Sequence, residues 1–370
     1  MSNRQLIIIG GFLGSGKTTS ILRLANYFAD EGKKVGIITN DQGSALVDKE
    51  FLKANGYAVL SVERSCFCCR FDEFVGKLSQ LAKEELPDII FAEPIGSGTD
   101  IISTIFKPLL SHETPEIRAF AEEFSIAPYS VTMDPRRIRR YMRAEKNIRD
   151  EINYLFEKQL EEANILVLNK CDLLAPQDIE EMTAFLRERF HGVKLITASA
   201  KNNEHIAEWA NELAGSVIRD LGGTTVDRDT CVKAEELLAW YNSSFTAEAA
   251  EPIDVNAFVR TFLSCVDAAL TAEDAQIAHL KCYAMSRSEF VKGSVTLSSE
   301  EPELSETIRG MQERFHLVIN ARVCAEPATL ENAMNNALQE VKERFGLTYG
   351  EAATECFQPC RPKPTYQMCE

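Results

Sequence analysis

The chain has 370 residues, 45% of them hydrophobic, enough for about two domains with a sizeable core. Forty Lys and Arg stand against 56 Asp and Glu, and the net charge of −16 argues against a general nucleic-acid or anionic-membrane surface. Only Leu6 to Ile9 are apolar after Met1 to Gln5, and no stretch approaches the roughly 18 apolar residues of a membrane span, so the chain reads as cytoplasmic, with no nucleic acid and no membrane among its partners.

The run Leu6 to Ile9 reads as a buried strand, and Ser20 to Asp30 as an amphipathic helix. Between them lies a GxxxxGK[ST] phosphate loop made by Gly11, Gly14, Ser15, Gly16, Lys17, Thr18 and Thr19. Glycines let successive backbone N–H groups turn inward around a polyphosphate, and the helix adds its positive end. Lys17 is expected on the β- and γ-phosphates, Thr18 on Mg²⁺ and Thr19 near the α-phosphate.

A second strand, Lys34 to Thr39, ends at Asn40 and Asp41, and a helix over Asp48 to Ala54 leads to the strand Ala58 to Val62. That strand runs into Cys66, Phe67, Cys68 and Cys69, followed by a helix from Asp72 to Glu85 and the strand Ile89 to Ala92, ending at Glu93 and Gly96. Alternating strands and helices imply an α/β fold, a mostly parallel P-loop NTPase sheet with helices on both faces. Ligands in such sheets gather beyond the carboxyl ends of the strands, where the phosphate loop, Asp41, the cysteines and Glu93 all fall.

Helices follow over residues 100–110 and after Pro115, then the strand Ser130 to Met133. Arg136, Arg137, Arg139, Arg140 and Arg143 share the next helix, either as a solvated basic face or as a docking surface for an acidic partner. The helix Ile152 to Glu162 and strand Ile165 to Leu168 deliver Asn169, Lys170, Cys171 and Asp172. A helix from Pro176 to Phe190 and the strand Lys194 to Thr197 lead to Ser199, Ala200 and Lys201, and a helix over Glu204 to Leu213 closes the domain.

These signals divide the chain into a P-loop domain at 1–215, a linker at 216–232, a smaller C-terminal α+β domain at 233–350 and a tail at 351–370, expected to be disordered, with Cys356, Cys360 and Cys369 among its prolines. Helices are expected at Ala234 to Tyr241, Val255 to Leu270, Leu304 to Phe315 and Leu330 to Phe345, and strands at Ile277 to Met285, Phe290 to Leu297 and His316 to Val323.

Asn169, Lys170 and Asp172 form the guanine-selecting pattern NKxD. A carboxylate accepts from both the ring N–H and the exocyclic amine of guanine, whereas adenine presents an acceptor instead, so discrimination is strong. With Ser199, Ala200 and Lys201 completing the base pocket, the nucleotide reads as GTP. Asp41 and Glu93 can each hold Mg²⁺, directly or through water, and Glu93 can position the attacking water. Gly96 offers an N–H to the γ-phosphate. The catalytic set is therefore Lys17, Glu93 and Asp41.

Cys66, Cys68 and Cys69 put three thiols into four residues. Thiolates bind Zn²⁺ and related ions tightly, and such tight spacing leaves a coordination position for another ligand and suits transient binding. Partly buried free cysteines and thiol exchange stay open as alternatives.

Taken in order, the phosphate loop, Asn40 to Gly43 with Val47 and Asp48, the CxCC, Glu93 with Gly96, and the NKxD resemble the CobW-type GTPases, relatives of the nickel-delivery proteins UreG and HypB and of the cobalamin chaperone MeaB. The chain has Ser65 and Phe67 where that family usually has Gly and an aliphatic residue, and Asp41 where it usually has Glu. The resemblance implies a GTPase that couples hydrolysis to delivery of a metal, Zn²⁺ or else Co²⁺ or Ni²⁺. It implies Cys66, Cys68 and Cys69 as the cargo site, with Asp41 near it, and a client metalloprotein or corrinoid protein as partner. A nucleotide-dependent homodimer is a further expectation. Two alternatives are a GTPase supporting a corrinoid enzyme and a non-catalytic nucleotide-dependent scaffold.

Overall fold

The computed structural model describes residues 4–41, 47–63, 65–111, 113–143, 149–214, 216–218, 226–359 and 361–368. The chain separates into two units, one of Met1–Gln42, Asp48–Cys231 and Pro362–Glu370, the other of Gly43–Val47 and Val232–Arg361.

In the first unit, strand β1 (Arg4–Gly11) leads through the phosphate loop to helix α1 (Lys17–Asp30), and β2 (Val35–Asp41) to α2 (Val47–Ala54). Next come β3 (Ala58–Glu63), α3 (Phe71–Glu84) and β4 (Ile89–Glu93), then α4 (Lys107–Ser111), α5 (Pro115–Glu123), β5 (Phe124–Ile126), β6 (Ser130–Met133) and α6 (Pro135–Met142). The unit ends with α7 (Asp150–Glu161), β7 (Ile165–Leu168), α8 (Pro176–Arg189), β8 (Lys194–Thr197) and α9 (Ile206–Ala214). The strands form one eight-stranded sheet in the order β3-β2-β4-β1-β6-β7-β8, with β5 beside β1. Every pairing in it is parallel. The reason is burial on both faces: Leu6 to Ile9, Ile89 to Ala92 and Ile165 to Leu168 are continuous apolar runs with almost no exposure. This is the P-loop NTPase sheet that the order of strands and helices predicts.

Helix α10 (Arg228–Glu236) leads into the second unit, an antiparallel sheet of β9 (Leu238–Ile253), β10 (Gln276–Ser286), β11 (Glu289–Val295), β12 (Glu303–Ser305), β13 (Gln312–Cys324), β14 (Leu347–Tyr349) and β15 (Ala353–Phe357). Helices α11 (Val255–Ala272) and α12 (Pro327–Phe345) bury Phe258, Phe262, Val266, Leu330 and Met334 in a common core with Tyr241, Phe245, Leu280 and Leu317 of the sheet. Among the described residues α11 alone has the length and hydropathy of a membrane span, and its apolar face belongs to this core.

Several expectations are corrected here. The helix placed at Ala234 to Tyr241 ends at Glu236, because Ala239, Tyr241, Phe245 and Ala247 put an alternating apolar face on the core as β9. Leu304 to Phe315 is strand β12, a connection with Gly310 at φ +69° and the start of β13, not a helix. Ala353–Phe357, in the segment expected to be a disordered tail, pairs with β9 as β15.

Candidate functional site

All the strand ends that the sequence singles out face one edge of the parallel sheet. Helix α1 is the place to begin. Its N-cap is Gly16, in the left-handed region at φ +91°, with no side-chain cap and no acidic residue in the first turn. Helices α5, α6 and α11, by contrast, are capped by Thr114, Asp134 and Asp254. An uncapped N-terminus after a Gly-rich loop leaves N–H groups for an anion. Only Gly fits here, since a Cβ on Gly16 would sit 2.4 Å from Asn169 Nδ2. Lys17, largely buried, donates to Gly11 O at 2.9 Å across the loop. A Cβ on Gly96 would lie 3.1 Å from Lys17 Nζ, so the turn after β4 closes on the same lysine. Gln159 of α7 pins that turn by donating to Gly96 O at 3.0 Å and Gly98 O at 2.7 Å.

The residues expected on Mg²⁺ come together in part. Thr18 Oγ1 donates to Glu93 Oε1 at 3.0 Å, and both residues are buried. Thr39 pairs in register with Glu93, and its buried hydroxyl has no hydrogen-bond partner. A set of hard oxygen donors with one unsatisfied hydroxyl suits Mg²⁺. Asp41 closes β2 opposite Glu63, and its side chain lies outside the described residues.

At the other side of β1 the NKxD residues close a second set of contacts. Asn169 donates to Ser15 O at 2.9 Å and accepts from the Ala200 N–H at 3.1 Å, tying the phosphate loop to the loop after β8. Asp172 Oδ1 accepts from Ser199 Oγ at 2.6 Å. Arg23 of α1 donates to Ala200 O at 2.9 Å. Lys201 is exposed at the rim.

Lys170, with φ +59°, reaches Asp134 Oδ2 at 2.9 Å, and Arg136 reaches the same oxygen at 2.7 Å. Burial alone pushes the Asp134 carboxyl up, but Lys170 and Arg136 together hold it well below the usual carboxylate range. Asp134→Asn keeps the shape but removes the buried carboxylate that Lys170 and Arg136 share, so we expect it to cost about 3 kcal/mol at pH 7 in urea unfolding. A depressed pKa contributes stability above the unfolded carboxylate value, so the deficit of the variant should shrink as the pH falls below about 4. The basic run on α6 is thus not a free cationic face: Arg136 serves Asp134, Arg137 lies buried over the Phe12 ring at 4.3 Å, and Arg139 pairs with Asp178.

The CxCC loop links β3 to α3. Cys66 and Cys68 are buried and Cys69 half-buried, and the three Sγ atoms lie within 4.8 Å of one another. Among the described residues this is the one group of three or more metal-ligating side chains so arranged. Phe67 turns into the core and stacks on Phe74 at 4.3 Å. Asn40 of β2 holds the loop from beneath: it accepts from the Phe67 N–H at 2.9 Å and donates to Ser65 O at 2.6 Å. Hydrogen bonds from Cys66 and Cys68 draw the Cys69 thiol down to about 3 against the opposing effect of burial. Cys68 is pushed well up by its bonds to Cys66 and Cys69 and by burial. Cys66 rises to about 12: its bond with Cys68 pulls it down, and its bond with Cys69 and burial outweigh that. Deprotonation is thus favoured at Cys69 and opposed at Cys66 and Cys68, and a dication held by all three displaces the protons that remain.

Sequence reasoning did not single out Thr39, Asp134 and Gln159, and it gave Asn40 no role on the thiol loop. Thr39 with Glu93, Asn40 with Ser65 and Phe67, Asp134 with Lys170, and Gln159 with Gly96 are partners distant in the chain, so only the register of the strands and the packing of the helices reveal them.

Residues 5–196 match the family model described as the CobW/HypB/UreG nucleotide-binding domain. The chain is 28% identical over 241 residues to a zinc chaperone CobW of Sinorhizobium sp, covering 60% of this chain and 63% of that one. It is 31% identical over 172 residues to zinc chaperone YeiR of Escherichia coli, covering 46% and 47%. It thus spans less than two thirds of the length of these curated relatives. Among solved structures it is similar to the Zn(II)-bound YjiA GTPase of E. coli at 13% identity and a TM-score of 0.40, covering 92% of this chain and 99% of that one.

Proposed function

This chain belongs to the CobW/HypB/UreG nucleotide-binding family, and from that premise we propose that it is a GTPase that couples GTP binding and hydrolysis to the delivery of a divalent metal, zinc before cobalt or nickel, to a client protein. Relatives that are zinc chaperones support zinc as the cargo.

The observation that carries the coupling is the end of β2. Thr39 stands in register with Glu93, beside the phosphate loop, and the next residue, Asn40, holds the backbone of the thiol loop at Ser65 and Phe67. A shift of β2 against β4 of a few tenths of an ångström alters both places, because packed strands transmit displacement.

In this reading the α1 N–H groups and Lys17 hold the phosphates, and Asn169 and Asp172 select guanine. Thr18 and Glu93, with Asp41 at the end of β2, would hold Mg²⁺, which when bound offsets charge on the β- and γ-phosphates. Glu93 orients the attacking water, and Gly96, held by Gln159, reads the γ-phosphate. Loss of that phosphate relaxes the turn and, through β2, the thiol loop, which then releases its metal.

Steady-state turnover of GTP and ATP tests the nucleotide half. GTP should be preferred by at least about a hundredfold in kcat/KM, the scale of discrimination by a site that hydrogen-bonds its substrate. Equal use of ATP, or no GTP turnover above that of buffer, would sink the proposal.

A further inference from the structure

The segment Pro362–Met368 lies with the P-loop unit, in contact with the thiol loop, and neither the phosphate site nor the cargo site explains it. Its sequence alternates prolines with residues that keep an N–H: Pro362, Lys363, Pro364, Thr365. Both remaining donors go to the CxCC loop. The Lys363 N–H donates to Cys69 Sγ at 3.1 Å and the Thr365 N–H to Cys68 O at 2.8 Å. The Thr365 hydroxyl adds a third bond, to Cys69 O at 3.2 Å. Prolines keep such a stretch extended before docking, which reduces the entropy lost on ordering it.

The far end of the segment is anchored elsewhere. Tyr366 packs edge-on against Phe71 at 5.1 Å between centroids, and Gln367 donates to Asp100 Oδ2 at 3.3 Å. The last contact answers a defect in a helix. Residues Ile102–Phe106 form a π-helical turn in which the Lys107 N–H bonds back to Ile102 O. The carbonyl of Ser103 would then look to residue 108 for its donor, and residue 108 is Pro, with no N–H. The Met368 N–H supplies the bond at 3.1 Å. A buried carbonyl that local sequence cannot satisfy is a built receptor for an outside donor.

We propose that Pro362–Met368 is a strap that closes over the Cys68–Cys69 rim of the thiol site and ties it to the turn carrying Asp100 to Ser103, directly after the Glu93–Gly98 segment that faces the γ-phosphate position. The strap covers the half-buried thiol of the trio, Cys69, and its far anchor sits where loss of the γ-phosphate moves the chain. Nucleotide state thus governs access to the thiols through the strap as well as through β2. The purpose of the strap rests on the cargo reading, but its existence does not, and the test uses no metal.

The test is the rate of carbamidomethylation of Cys69 by iodoacetamide in chelator-treated protein, resolved by peptide mass spectrometry. It compares the intact chain, a chain ending at Arg361, and full-length Thr365→Pro/Met368→Pro, which removes two strap N–H groups and keeps every cysteine. Both altered chains should react about tenfold faster, the effect of one or two hydrogen bonds on local opening. Equal rates in the intact chain and the full-length variant overturn the strap. With binding of a non-hydrolysable GTP analogue verified by calorimetry, the analogue and GDP should give Cys69 rates that differ at least about threefold in the intact chain and by less in the variant. The same ratio in both chains overturns the link to the nucleotide.

Discussion

Replacing Cys66, Cys68 and Cys69 together by Ser is expected to weaken Zn²⁺ binding by at least about a thousandfold in competition with a chromophoric chelator. Thiolate-rich zinc sites bind with apparent free energies of roughly 10–16 kcal/mol, most of which depends on the sulfur ligands. A serine hydroxyl at neutral pH stays protonated and offers a hard, weak donor in place of a thiolate. The loop itself should survive the change. Its position is set by Phe67 stacked on Phe74 and by Asn40 on the backbone, none of which is touched. An unchanged circular dichroism spectrum alongside lost zinc binding is therefore the expected pair of results. Unaltered zinc affinity in the triple variant would place the cargo site elsewhere in the chain.

The second large effect is at Lys17. Lys17→Ala should lower kcat for GTP by about 10²–10³, the usual loss when one preorganised charge is removed from a developing transition state. The geometry makes the residue difficult to replace. Its Nζ is buried within the loop, bonded to Gly11 O, and close to Gly96 of the turn expected to meet the γ-phosphate. Rescue by Arg is not expected, because Nζ bonds to Gly11 O and lies against Gly96, which leaves little room for a larger guanidinium. If Lys17→Ala hydrolyses GTP at the wild-type rate, the chain uses nucleotide only as a switch.

How much of this was legible in the sequence follows from the distance over which each feature is specified. The parallel sheet was legible because Leu6 to Ile9, Ile89 to Ala92 and Ile165 to Leu168 each carry their own burial on both faces as a continuous apolar run. The phosphate loop, CxCC and NKxD were legible because their chemistry is packed into a few adjacent residues. Their mutual placement followed from the rule that ligands lie at the carboxyl ends of strands.

Most of the failures share a physical cause. In β9 the polar run Asn242, Ser243 and Ser244 hides an alternation that only the partner strand β13 makes meaningful. Thr39 and Gln159 carry no local signal, and the roles of Asn40 on the thiol loop and of Asp134 on Lys170 come from contacts made by strand register or packing between distant segments. Phe67, a departure from the expected aliphatic residue, turned out to fill the core under the thiols while the loop kept its shape. The strap was hidden for a different reason. A stretch rich in proline and charge reads as a solvated tail, and only the orphaned Ser103 carbonyl above Pro108 shows what it docks on.

The coupling of nucleotide to metal is measured most directly by isothermal titration of Zn²⁺ into the metal-free chain in three states: saturated with a non-hydrolysable GTP analogue and Mg²⁺, saturated with GDP and Mg²⁺, and free of nucleotide. We predict one tight site per chain, with affinities in the GTP-analogue and GDP states that differ by at least about tenfold, within the usual range of coupling between two sites. Identical zinc affinity in all three states would contradict the account.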